Sequence, residues 1–350
     1  VTFSNSIQQD FHHKPSETYL LKEVLGSGGS SKVWLGEPGT IRFLEEKDEI
    51  DNYKKIHRTK SQNLELKRKI IQESQKIAIK EIDLNDSSFT LDTCMIEIDN
   101  LKLISENNPP RYICKFYGHK ICHQTNKLYI NMEYISGIDS LKYAKSFHNK
   151  GHFDQLRNAC LSIVHAISIG LNYIHKLGLA HLDIKPQNIL ISSKGVPKLI
   201  DFGMSRKSDG KIILKDKEYD FFRSRGGTLE YFPPDFFEFG CRFYSSDVWS
   251  LGVTIFVLMT LDYPIDYLSS SKDDIAKSIK ASPLRKLNSE NKLLDSIVDG
   301  CLIRKFNERI TLDEIIKSVS NEEIFQNKKK ITLRDIPDLD NSYNFSSSST

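Results

Sequence analysis

The run His181-Leu182-Asp183-Ile184-Lys185-Pro186-Gln187-Asn188-Ile189-Leu190 constrains this chain more than any other feature. It sets an Asp, a Lys and an Asn within six residues of loop. Thirteen residues after Asn188 comes Asp201-Phe202-Gly203, at the end of a strand-like Lys198 to Ile200. The loop-rich stretch Ala180 to Tyr244 lies between two long, largely apolar segments, Asp154 to Leu177 and Asp247 to Leu261, both with helical patterning. Shorter helical stretches follow at Leu293 to Ile303 and Leu312 to Val319. The second half of the chain is therefore expected to be mostly helical.

The first third reads differently. Tyr19 to Gly36 is strand, glycine turn, strand; Lys76 to Asp83 alternates like a strand; Leu91 to Ser105 carries apolar residues at helical spacing. Tyr112 to Gly118 and Lys127 to Glu133 read as two further strands. At 350 residues the chain has the length of about two domains. Hydrophobic residues make up 39%, a little below the ordinary globular share, so part of the length is expected to lie outside a packed core. The polar excess falls in residues 1–17, in an insert at about 37–76, and in the Ser-rich end. From Ile41 to Lys76 the insert carries 10 basic and 7 acidic side chains, which reads as a charged helix or as disorder, and as a solvated excursion or a partner-docking surface.

Charge and composition exclude several classes. Lys+Arg 49 against Asp+Glu 46 gives a net charge of +3 with no basic block, so no nucleic-acid binding is expected. The longest strongly apolar run, Leu251 to Leu261, is far short of the ~20 residues that cross a bilayer. The six cysteines form no C-x-x-C pair and read as reduced thiols of an intracellular protein, cytoplasmic or nuclear. The chain starts Val-Thr-Phe-Ser, without a leader pattern and without an initiator Met, as expected of an excised piece of a longer protein.

Three constellations carry chemistry. Leu25-Gly26-Ser27-Gly28-Gly29-Ser30-Ser31-Lys32-Val33 lets backbone N–H groups approach phosphate oxygens without a Cβ in the way, although alone it also fits a flexible hairpin turn. In Ile77-Ala78-Ile79-Lys80 the alternation puts both isoleucines on one face and Lys80 with Ala78 on the other. Lys80 is either solvated or held by Glu97 on the following helix. The third is the Asp183, Lys185, Asn188 and Asp201 set. One carboxylate can orient an attacking hydroxyl, a carboxylate and an amide oxygen can hold Mg²⁺, and a lysine can offset phosphate charge, which together suit phosphoryl transfer.

In this order and at these intervals the residues resemble the eukaryotic protein kinase family, over roughly Tyr19 to Ile324. The resemblance implies an α+β bilobal fold, with an N-lobe of five antiparallel strands plus one helix and a mainly helical C-lobe. It implies lobes at 18–134 and 135–327, flanked by the extension 1–17 and a tail 328–350. ATP is expected beside Leu25, Gly26, Ser27, Gly28, Val33, Ala78, Lys80 and Leu190, with Met132 as gatekeeper and Glu133, Tyr134 and Ile135 as hinge. Asp183 resembles the catalytic base and Lys185 its companion; Lys80 resembles the phosphate lysine and Glu97 its partner. Asn188 and Asp201 resemble the Mg²⁺ ligands. Lys185 together with Thr228 matches the Ser/Thr type, with protein substrates; oligomeric state is left open.

The pattern has departures. Ser31 replaces the third loop glycine. Asp235 stands where the family has Glu, so Arg309 is expected to sit closer or to bridge through water. Leu182 replaces the arginine that receives an activation-loop phosphate. Autophosphorylation at Ser224 or a neighbour, met by Arg206, Arg223 or Arg225, is the expected substitute. The glycine loop, Leu182, Lys198 to Gly203 and Gly227-Thr228-x-x-Tyr231-x-Pro233-Pro234 are closest in pattern to the monopolar-spindle checkpoint kinases, which are dual-specific. Another Ser/Thr branch, or a nucleotide-binding scaffold without activity, is the alternative.

Overall fold

The computed structural model describes residues 19–28, 31–38, 76–87, 90–224 and 226–322. The N-terminal extension, nearly all of the charged insert and the C-terminal tail anticipated above lie outside these residues. Two compact units emerge. One runs to Asn108 and includes Cys114–Ile135; the other comprises Pro109–Ile113 and the chain from Ser136 onward.

The first unit holds β1 (Tyr19–Gly28), β2 (Ser31–Pro38), β3 (Ile77–Asp83), α1 (Leu91–Glu106), β4 (Phe116–Cys122) and β5 (Lys127–Glu133). The strands form one antiparallel sheet in the order β1-β2-β3-β5-β4. Period-two alternation gives the sheet two different faces. Ile77 and Ile79 are buried with Tyr19 and Tyr129, and Leu21, Trp34 and Tyr117 pack around them. Thr90 caps α1 by accepting from the Thr93 N–H, while the Thr93 hydroxyl accepts from the Thr90 N–H. The fourth strand begins at Phe116 rather than at Tyr112. Ile113 instead bridges to Leu199, and the Leu199 N–H donates to the Tyr112 carbonyl, so this stretch belongs to the second unit.

The second unit is mainly helical, with β6 (Gly137–Asp139), α2 (Ser140–His148), α3 (Phe153–Lys176), β7 (Leu179–Ala180), β8 (Ile189–Ser192), β9 (Pro197–Leu199), β10 (Arg206–Lys207), β11 (Gly210–Leu214), β12 (Lys217–Phe221), α4 (Pro234–Phe239), α5 (Tyr244–Thr260), α6 (Lys272–Ala281), α7 (Lys292–Cys301) and α8 (Leu312–Ser320). Helix α5 is buried from Ser246 to Met259, as expected of a helix apolar all round. It starts three residues before the expected Asp247, because the Ser246 hydroxyl accepts from the Phe243 N–H and closes the first turn. Hairpin β11–β12 occupies what reads in sequence as loop. Its turn residues Lys215 and Asp216 both take positive φ, the geometry that matches strand twist but normally selects Asn and Gly. All six cysteines are free thiols, and no described helix is long and apolar enough to cross a membrane.

Two buried carboxylates tie this unit together. Asp235 on α4 meets the Arg309 guanidinium directly, with no water between, so the shorter side chain is accommodated by close approach. Arg309 also donates to the carbonyls of Ile303 and Ser245, each at 2.9 Å. Asp247 on α5 accepts from the N–H groups of His181 at 2.9 Å and Leu182 at 2.8 Å, and lies 2.8 Å from His175 Nε2. Burial acts to raise the Asp247 pKa, but the His175 hydrogen bond, the nearby histidine charges and the His181 N–H outweigh it and hold the carboxyl below its ordinary value.

Replacing Arg309 with Ala leaves Asp235 buried and unpaired. The expected cost is about 3–5 kcal/mol, a Tm drop on the order of 10 °C for a domain of this size, read by thermal melt. Because Asp247 is depressed in the folded state, its contribution is full above the ordinary carboxylate pKa of about 4 and is lost as pH falls through the lower folded value. Parent and Asp247→Asn chains should therefore differ in stability at pH 7 and converge toward pH 2, as measured by denaturant unfolding across pH.

Candidate active site

In the first unit the sheet register lines up residues scattered through the sequence. Gly26 pairs with Val33 across β1–β2, Val33 with Lys80 across β2–β3, and Lys80 with Ile130 across β3–β5. One step along the same face, Ala78 sits between Leu35 and Met132. Gly26, Val33, Ala78, Lys80 and Met132 thus share one face of the sheet, opposite the Ile77–Ile79 core. A β-bulge between Val24 and Gly26 places Leu25 where the ladder is irregular. Ser27 is exposed, and Gly28 pairs with Ser31 at the strand ends. At the end of β5 the Glu133 N–H donates to the Lys115 carbonyl, and half-buried Tyr134 and Ile135 follow.

Lys80 is not solvated. Its ammonium contacts both oxygens of Glu97 on α1, at 2.8 and 3.1 Å, with the two side chains only 13% and 6% exposed. The strand fixes one end of this pair and the helix the other, so the lysine is held at a defined point on the sheet face.

In the second unit Asp183 collects four partners. Its Oδ2 lies 2.9 Å from Lys185 Nζ and accepts from the Asn188 amide, also at 2.9 Å. Its Oδ1 accepts from the Thr228 N–H at 3.2 Å and faces the Thr228 hydroxyl at 3.3 Å. Lys185 Nζ donates to that hydroxyl at 2.8 Å, so Lys185 spans the carboxylate and Thr228. Gly227, one residue earlier, has φ +119, and a Cβ there would meet Phe232, the Leu182 carbonyl and Asp183 Oδ1 at 3.0–3.4 Å. Only glycine brings the chain this close to the carboxylate. His181 orients the loop beneath: its Nδ1 accepts from the Asp183 N–H, which leaves Nε2 to donate to the Ile200 carbonyl at 3.2 Å.

The Asn188 amide nitrogen is committed to the Asp183 carbonyl and carboxylate, which leaves its Oδ1 as the ligand-type atom. The Ile200 N–H donates to the Asn188 carbonyl at 3.0 Å, tying the strand that ends in Asp201 to this loop. Asp201 itself is exposed, with φ +57. An amide oxygen and a carboxylate are hard oxygen donors of the kind Mg²⁺ takes alongside substrate phosphates and water. The residues therefore fit the ion, which when bound would offset phosphate charge. Leu190 lies on β8, paired with Asp139 and Lys198. Two contributors were not singled out from sequence: Asp247 and His175, which hold the loop from α5 and α3. Arg242 is a third. A lone cation in the aromatic run Phe236 to Tyr244 is the signal that could have found it.

Comparisons with known proteins identify the family. The protein kinase domain model matches residues 66–319. A probable cell division protein kinase of Encephalitozoon cuniculi is 30% identical over 71% of this chain and 88% of its own. The serine/threonine-protein kinase ppk11 of Schizosaccharomyces pombe is 28% identical over 71% of this chain and 73% of its own. The solved Cydia pomonella granulovirus kinase PK-1 shares the fold, with TM-score 0.57 at 21% identity over 86% of this chain and 93% of its own. The chain belongs to the protein kinase family, and is an enzyme that phosphorylates proteins from ATP with Mg²⁺ as its usual cofactor.

Proposed function

We propose that the chain phosphorylates serine and threonine, with Asp183 orienting the acceptor hydroxyl. The observation that carries this reading is the lysine bridge: Lys185 Nζ reaches Asp183 Oδ2 and the Thr228 hydroxyl together. It sets a cation and a hydroxyl beside the base, where an aliphatic alcohol and the transferring phosphoryl group meet. The alcohol proton leaves late, as charge builds on the oxygen, so Asp183 works mainly by orientation. Lys80, fixed by Glu97, holds the ATP phosphates; Gly26, Val33, Ala78 and Met132 form the nucleotide face of the sheet; Asn188 and Asp201 hold Mg²⁺. The catalytic region runs from residue 18 to 327, divided near 134. The serine/threonine kinases among its relatives support the substrate class.

A role in division of the spindle-checkpoint type is the finer reading. It is supported by the motif pattern around Gly26 to Val33, Leu182 and Gly227 to Pro234, and by the cell division kinase among the relatives. Phosphorylation of kinetochore-type substrates by the purified chain, lost in Asp183→Asn, is the expected result; activity on generic substrates alone would count against it.

Lys80→Met and Asp183→Asn should each lower turnover of a generic protein substrate by about 10²–10⁴-fold, the effect of losing a positioned catalytic group. Unchanged turnover in either would remove that residue from the mechanism. On paired peptides differing only in Ser or Tyr at the acceptor, kcat/KM should favour Ser by at least about tenfold. Equal rates on both would point to dual specificity.

A further inference from the structure

Leu182 leaves this loop without the arginine that would receive an activation-loop phosphate, and a buried arginine from farther along the chain bonds to the Leu182 carbonyl. Arg242, between α4 and α5, is 2% exposed. Its Nη1 donates to the Leu182 carbonyl at 2.6 Å, and its Nε and Nη2 donate to the Ser224 carbonyl at 3.2 and 3.0 Å. Nη2 also donates to the Gly226 carbonyl. The guanidinium lies over the Phe232 ring, 4.1 Å from its centroid. Its backbone pairs with Phe222 in both directions, at 2.9 and 3.0 Å. Burial pushes the Arg242 pKa down to about 10, which still leaves it charged at neutral pH.

We propose that Arg242 is a positioning residue that holds the activation segment, the stretch from Asp201 to Asp235 that carries Thr228, in its substrate-ready arrangement without phosphate. The inference rests on the roles given above to Asp183 and Thr228. One planar cation cross-links the peptide preceding Asp183 to the two carbonyls that lead into Gly227 and Thr228. Four of its five N–H groups are spent on main-chain carbonyls, so it offers no seat for a phosphoryl group. Ser224 is not poised as a switch either. Ser224 is 7% exposed, and Arg206, one of its expected partners, donates instead to the carbonyls of Gly203 and Ser205. Arg225 lies outside the described residues. Upstream, the segment is already packed down. Tyr219 on β12 meets Phe306 edge-on at 4.9 Å, and Phe222 is buried with Ala180 and Leu182.

The test needs two arms on the purified full chain. In the first, phosphatase treatment verified by mass spectrometry should leave kcat within about twofold of the untreated enzyme. A loss of tenfold or more would overturn the inference. In the second, Arg242→Met keeps apolar bulk on Phe232 but removes the fork, and should lower kcat on the order of 10–100-fold with KM for ATP unchanged. Arg242→Lys restores charge but not three-way reach, and should stay impaired. Full activity in either folded variant would overturn the inference, and thermal melts establish folding. If the Met variant fails to fold, the Lys variant and the phosphatase arm decide the matter. Asp183→Asn is run alongside: activity retained there would overturn the assignment of Asp183, a result separable from failure of the Arg242 inference alone.

Discussion

The peptide at Leu182 is the constraint on which the second unit depends. Leu182 has φ +66 and is 3% exposed, a left-handed conformation that a branched side chain adopts only at a cost of about 1–3 kcal/mol. It persists because both of its polar groups are fixed. The N–H donates to Asp247 and the carbonyl accepts from Arg242. The adjacent His181 N–H goes to the same Asp247 carboxylate. A buried anion on α5 and a buried cation in the aromatic run therefore clamp the two peptide groups that flank one residue.

The part of the candidate site that lies in the second unit is built on that clamp. With Leu182 turned, Asp183 faces Lys185, Asn188 and Thr228 at once, and His181 links the loop to Ile200, one residue before Asp201. Phosphoryl transfer asks little covalent chemistry of the protein and much positioning. A site built from main-chain hydrogen bonds to buried charges suits that demand, because those bonds fix the loop that carries Asp183.

Much of the architecture was legible from pattern alone. The alternation Ile77-Ala78-Ile79-Lys80 predicted a two-faced strand, and the apolar run of α5 predicted a buried helix, because burial leaves a periodic signature in local sequence. Where it was not legible, a distant partner decided. Tyr112 to Lys115 has strand-like residues, yet Ile113 pairs with Leu199, so β4 starts later. Hairpin β11–β12 turns through Lys215 and Asp216, which carry no glycine signal, and it is held by Tyr219 packing on Phe306. Ser224 reads in sequence as an autophosphorylation candidate and is buried in the fold.

By itself, then, the sequence determined the chemistry available: a lysine on a strand, an Asp, Lys and Asn on one loop, an Asp-Phe-Gly after the next strand, and no arginine before Asp183. Those are properties of residue identity and spacing. The tertiary structure decided which charges meet. Glu97 takes Lys80, Asp235 takes Arg309 directly, and Arg242, sixty residues from Leu182, takes the carbonyl of the residue that replaced the missing arginine. Such pairings join segments far apart along the chain. They are selected by the high cost of burying a charge without a partner, a cost that appears only once the core has closed around it.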